Sequence, residues 1–232
     1  MSEHIVSAYD EELTEMAGKV AEMGGLAERA FADAVAALVS QDHELAKATV
    51  ANDERLDTLH QAVEAKLIEM IARRQPMGQD LREITAASRI ANDLERVGDL
   101  AKNVAKRAIA IDSNLQSKKL AIGVEHMTEL ALSQLKQVLD AYTRRDAEAA
   151  RRVQEADAEV DAIYTSLFRE LLTYMMEDPR IITQCVHLLF CAKNIERIGD
   201  HATNIAENVY FMVTGERLPE EREKVDEMSG TV

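Results

Sequence analysis

The sequence predicts an all-α protein, a tandem repeat of two antiparallel three-helix bundles. Three observations predict it. The 232 residues include only nine Gly, three Pro and no Trp, and good helix formers (Ala, Glu, Leu, Arg, Met) dominate. Start and stop signals divide the chain into six long segments. The segments then repeat in order.

The first helix is expected over 9–40 and the second over 43–73, with Asp42 as N-cap. Gln75-Pro76-Met77-Gly78 ends the second. The third is expected over 80–112, where Asp80-x-x-Glu83 resembles a capping box. Ser113-Asn114 opens a linker over 113–117. Three more helices follow over 118–144, 147–176 and 179–213. Asp178-Pro179 supplies an N-cap and a Pro at N1 for the last, and Gly215 stops it. The expected units are 1–112, 113–214 and a flexible polar tail over 215–232.

A shift of 104 residues superposes Met23, Asp42, Glu44, Ala46, Asp53 and Asp57 on Met127, Asp146, Glu148, Ala150, Asp157 and Asp161. After a loop three residues longer in the first half, the shift becomes 101. ANDLERVGDLAKNVA (91–105) then meets AKNIERIGDHATNIA (192–206), with eight identities in fifteen positions. A duplicated three-helix unit explains this better than a single six-helix fold. Its short connections imply antiparallel neighbours.

The formal net charge is −15, shared almost evenly between the two halves. Non-specific nucleic-acid binding needs a basic footprint and is excluded. Cations or basic protein patches are better partners. The N-terminus lacks the pattern of a signal peptide. No apolar stretch approaches the roughly 20 residues of a membrane span, so a cytoplasmic location is expected. Cys185 and Cys191 sit about 120° apart on one helix and read as two buried thiols.

Two acidic motifs recur. Asp-x-x-x-Asp places Asp53 with Asp57 and Asp157 with Asp161; Glu-x-x-x-Asp places Glu95 with Asp99 and Glu196 with Asp200. The i,i+4 spacing puts each pair on one helix face. Two such pairs on adjacent helices would gather four carboxylates per half. With Glu95 at 0°, Asp99 falls at about 40° and Asn103 at about 80°, away from the stripe of Leu94, Val97, Leu100, Ala101, Val104 and Ala105. The acids are therefore expected at the rim of the bundle, unlike the inward Glu-x-x-His sets of ferritin-like di-iron bundles.

A solvated acidic face is the ordinary explanation of such a pattern. Yet like charges at i,i+4 cost a helix about 0.2–0.5 kcal/mol per pair, and the cost recurs at all four matched places. Gly98 and Gly199 also recur mid-helix, leaving room for close approach by a cluster or another helix. Metal binding is the better reading. Carboxylates without clustered Cys or His are hard oxygen ligands, suited to iron, manganese, magnesium or calcium, and able to bridge ions. His60 and His201 lack His counterparts in the other half and are set aside. Arg96 and Arg197 leave the acids' face and are read as holding a neighbouring helix or pairing with carboxylates. No nucleophile or phosphate loop accompanies the acids, so no enzyme is expected.

LERVGDLAKNVA and IERIGDHATNIAE, each with its upstream Asp-x-x-x-Asp helix, resemble the PhoU family of phosphate-uptake regulators over roughly residues 9–214. The resemblance implies a multinuclear metal cluster, iron foremost, with manganese, magnesium, calcium or zinc as alternatives. Its ligands carry over to Asp53, Asp57, Glu95 and Asp99, and to Asp157, Asp161, Glu196 and Asp200. Asn103 and Asn204, one turn on, are added candidates. It implies negative regulation of the phosphate-starvation response. It also implies an adaptor between the ATPase subunit of the phosphate ABC transporter and a phosphate-sensing histidine kinase. The adaptor is expected as a homodimer, near the membrane only through its partners. The alternative class is a metal-storage or metal-dependent hydrolytic protein.

Overall fold

The computed structural model describes residues 2–111 and 117–219. Its helices are α1 (Ser2–Ser40), α2 (His43–Arg74), α3 (Gln79–Ala110), α4 (Ser117–Arg144), α5 (Ala147–Glu155), α6 (Asp157–Glu177) and α7 (Ile182–Thr214), with a 3-10 turn at Pro179–Ile181 before α7. Among the described residues there is no strand, and no helix is long and apolar enough to cross a membrane. Helices α1–α3 form one bundle and α4–α7 the other. Residues 112–116, which hold all of the expected linker but Ser117, and 220–232, most of the expected tail, lie outside the described residues; Ser117 opens α4. Leu218, within the expected tail, is buried.

The helix breaks follow local chemistry. Asp42 accepts from the backbone N–H of Glu44 and Leu45 at 3.0 and 2.9 Å, and Asp146 accepts from Ala149 at 2.9 Å. Each Asp follows a left-handed residue, Gln41 or Arg145, so both halves make the same turn. Gln75 ends α2 and Gly215 ends α7, both left-handed. Asp178 caps the 3-10 turn through Arg180 N–H at 3.0 Å.

Two expectations need correction. The helix expected over 147–176 is interrupted at Ala156, which closes α5 through hydrogen bonds to Arg152 and Gln154. The capping box on α3 does not form, because Gly78 is the N-cap. Glu83 is drawn instead to the guanidinium of Arg145, which donates to it at 2.5 and 2.9 Å.

The core follows from helical spacing. On α1, Met16, Val20, Met23, Ala27, Phe31, Ala34 and Leu38 recur every three or four residues and are all buried, one apolar stripe. Helix α3 packs on α1, α2 and α7, while α7 packs on α3, α4, α5 and α6; α1 meets α4. The motif helices α3 and α7 are thus the innermost elements and join the bundles. They run antiparallel: His201 Nδ1 of α7 lies 2.9 Å from Asp93 Oδ1 of α3. Fourteen residues away on each, Arg107 Nη1 lies 3.4 Å from His187 Nδ1. Arg107 also covers the ring of Phe190 at 4.0 Å. Cys185 and Cys191 are buried and unpaired, and burial pushes the Cys191 thiol up to about 12.

Candidate functional site

In the first half, α2 supplies Asp53 and Asp57 and α3 supplies Glu95 and Asp99. Their burial differs from the expectation that all eight acids sit at the rim. Asp53 is 9% exposed and its counterpart Asp157 is 7% exposed. Both lie under the motif glycines. A Cβ built on Gly98 would be 3.6 Å from Asp53 Oδ1, and one on Gly199 would be 3.7 Å from Asp157 Oδ1. An added Cβ would be in ordinary van der Waals contact with either carboxylate; at Gly98 it is Leu56 that fills the space a side chain would need. The other six acids are partly or fully exposed.

A lysine joins the first set. Lys102 Nζ donates to Asp53 and, at 3.0 Å, to Asp99 Oδ1. Its bond to Asp53 raises the ammonium pKa above the ordinary lysine value. Arg96 also stands beside the pair, 3.5 Å from Glu95 and 3.7 Å from Asp99. The carboxyls of Asp57 and Glu95 are raised, first by burial, and then for Asp57 by the neighbouring Asp53. His60 turns to Asn92 at 3.1 Å. Asn103 is exposed.

The second half uses other partners. Thr203 donates its hydroxyl to Asp157 Oδ1 at 3.1 Å. Lys193 donates to Glu196 Oε1 at 2.7 Å. Glu196 Oε2 is buried without a hydrogen-bond partner, as is Gln134 Oε1 of α4. Burial raises the Glu196 carboxyl above its ordinary pKa, and Asp200 and Asp161 add to the rise. Asn204 reaches toward Asp93 at 3.5 Å rather than toward the acids.

The structure brings Asp53, Asp57, Glu95 and Asp99 within electrostatic reach in the first half, and Asp161, Glu196 and Asp200 in the second. As they stand, no three His, Cys, Asp or Glu side chains among the described residues converge closely enough to hold an ion. The donor chemistry fits a hard cation, most of all in the second half, where two buried acceptors lack a donor. Lys102, Gln134 and Thr203 belong to these clusters but were not among the sequence candidates. Lys102 had a sequence signal, since it falls at about −20° on the same wheel as Glu95. Gln134 had none, because it arrives from another helix.

Comparison with known proteins places this geometry among relatives. A family model described as the PhoU domain matches residues 20–108 and again 124–209. The chain is 59% identical to the phosphate-specific transport system accessory protein PhoU homolog of Rhizobium meliloti (strain 1021), over 99% of this chain and 96% of that one. The crystal structure of PhoU from Pseudomonas aeruginosa superposes with a TM-score of 0.87 at 38% identity, covering 90% of this chain and all of that one. The phosphate transport system regulatory protein PhoU from Streptococcus pneumoniae gives a TM-score of 0.84 at 27% identity, covering 91% and 99%.

Proposed function

The chain belongs to the PhoU family, and from that premise we propose that it restrains phosphate uptake and the phosphate-starvation response as a metal-binding cytoplasmic adaptor. The family's members are regulatory accessory proteins, and the chain is not an enzyme. Its partners are the ATPase subunit of the phosphate ABC transporter and a phosphate-sensing histidine kinase. The expected homodimer is part of the same proposal.

The observation that carries the reading is the double occurrence of the acid motif, each time over a buried carboxylate beneath a motif glycine. Asp53, Asp57, Glu95 and Asp99, and Asp157, Asp161, Glu196 and Asp200, are the residues that would hold a hard cation. Asn103 and Asn204 flank them. A bound cation would neutralise facing carboxylates and fix α2 on α3 and α6 on α7. The chain's own part is to present that surface to proteins. Exposed apolar side chains near the helix ends, Ile71, Met77 and Leu81 at one bundle and Met176, Ile182 and Phe190 at the other, offer contact area.

Deletion of the gene tests the reading. Alkaline phosphatase should rise in phosphate-rich medium. Normal repression in the deletion strain would refute the adaptor. Turnover of phosphate esters by purified, metal-loaded protein would favour the hydrolytic alternative.

A further inference from the structure

The groove between α6 and α7 carries an apolar strip that the first half lacks. Lys193 Nζ lies 5.3 Å from the centre of the Tyr164 ring, and Val160 Cγ1 lies 3.7 Å from where a Cβ on Gly199 would be. These contacts fix the antiparallel register of the two helices. Counted one turn at a time toward Asp178, the register sets Phe168 level with Phe190 and Leu172 level with Val186, each within a residue. Leu172, Ile182, Val186 and Phe190 are exposed and Phe168 is partly buried. Arg107 of α3 borders the strip, its guanidinium 4.0 Å from the centre of the Phe190 ring.

The repeat supplies an internal control. Ile68 and Leu81 keep the apolar kind of Leu172 and Ile182, but Glu64, Thr85 and Arg89 stand where the second half has Phe168, Val186 and Phe190. The counterpart of Arg107 is Asn208. The three-helix fold therefore does not need a continuous apolar surface here, and an exposed apolar patch calls for an occupant.

The charge around the strip says what the occupant carries. The chain has a net charge of −15, yet α3 has no acid from Leu100 to Ile111 and α7 none from Ile182 to Ile195. Glu170 and Glu177 lie about 180–200° round α6 from Phe168, and Asp178 is held by Arg180. Among the described residues no carboxylate pairs with Arg107. A guanidinium on an aromatic ring, beside aliphatic side chains, is the kind of anchor that dominates protein contacts. The groove between two packed helices accepts the ridge of a third. A second copy set strip on strip would bring two arginines and no carboxylate to the contact.

We propose that this strip is a docking groove for an amphipathic helix of another protein, whose apolar face covers Phe168, Leu172, Val186 and Phe190 and whose carboxylate meets Arg107. The proposal rests on the adaptor reading and confines this contact to the second half.

The test is fluorescence anisotropy of the full chain with a labelled amphipathic helical peptide, carrying leucines at i, i+4 and i+7 and one glutamate beside that stripe. The wild type should bind it. Val186→Ser with Phe190→Ser should weaken binding about tenfold or more. Thr85→Ser with Arg89→Ser, at the matched positions of the first half, should leave it unchanged. Arg107→Gln should weaken binding of the glutamate peptide and not of its glutamine counterpart, the coupling that a direct contact gives. Circular dichroism melts check that each variant folds. In cells, Val186→Ser with Phe190→Ser at normal abundance should derepress the phosphatase reporter. No binding by the wild type, or equal losses in the two double variants, would overturn the proposal. Normal repression by Val186→Ser with Phe190→Ser, beside a derepressed deletion strain, would overturn it and leave the adaptor reading standing. Normal repression in the deletion strain would overturn that reading, whereas the peptide titration is read without it. A wild-type dimer that dissociates in the same variant, measured by sedimentation, would assign the strip to a second copy and overturn the proposal.

Discussion

Leu56 occupies the space that a side chain at Gly98 would need. A Cβ built on Gly98 collides with Leu56 Cδ2, whereas one on Gly199 meets only Gln134 Oε1 at 3.3 Å and more distant atoms. The same motif glycine therefore serves tight interhelix packing in one half and a looser polar pocket in the other.

Alanine at these two positions should separate those roles. Mid-helix Gly→Ala gains about 1 kcal/mol of helix stability, while overpacking a core costs about 1–3 kcal/mol. Thermal melting should place Gly98→Ala below the wild type and Gly199→Ala at or above it. The opposite order would show that Leu56 yields more readily than the Gln134 amide.

Glu95→Gln with Glu196→Gln should keep the melting temperature of metal-free protein, because it removes like-charge repulsion worth about 0.2–0.5 kcal/mol per pair. It should nevertheless derepress a phosphatase reporter in phosphate-rich cells. Leu94 is fully buried, so Leu94→Ala should cost about 2–5 kcal/mol and weaken regulation only through lost protein. Normal repression by the double glutamine variant at normal abundance would make the acids a solvated face.

Arg145→Ala should destabilise the fold through Glu83, whose side chain is 9% exposed while that of Arg145 is 54% exposed. The loss should be about 1 kcal/mol, at the low end for an orphaned buried group, because one partner is half in solvent. Adding Glu83→Gln should recover part of it. A double variant no more stable than Arg145→Ala alone would rule out the stranded carboxylate as the cause.

His187 sets an acid-side sensitivity. Burial, and then Arg107, lower its pKa below the ordinary histidine value of 6.5. The unfolded chain therefore takes up a proton at a higher pH than the folded one does. Its stabilising contribution is present above pH 6.5 and is lost as pH falls through the folded value. Melting curves across that window should be steeper in pH for the wild type than for His187→Gln. Parallel curves would exclude His187.

Much of this was legible locally. Asp42, Asp178 and Gly215 act through backbone within four residues, and the repeat needed only the order of residues. Glu83 misled because its backbone targets lost to a guanidinium sixty-two residues away. Asp53 and Asp157 were expected at the rim, since a helical wheel registers direction but not how near the next helix comes. In the first half that distance is tied to Leu56, which packs into the space left open at Gly98. Lys102 lay on the wheel beside Glu95, yet its second carboxylate belongs to another helix.

The antiparallel seam of α3 and α7 also records how far the two copies have diverged. In the repeat, Asp93 corresponds to Asn194 and His201 to Leu100. The Asp93–His201 hydrogen bond therefore has no mirror image: its reciprocal pair is an amide and a leucine. Two first halves brought together would set Asp93 against Leu100, and two second halves would set Asn194 against His201. The first combination loses the bond, and the second replaces its carboxylate with an uncharged amide. The duplicated units have ceased to be equivalent at this seam, where only the unlike pairing sets a carboxylate against the imidazole.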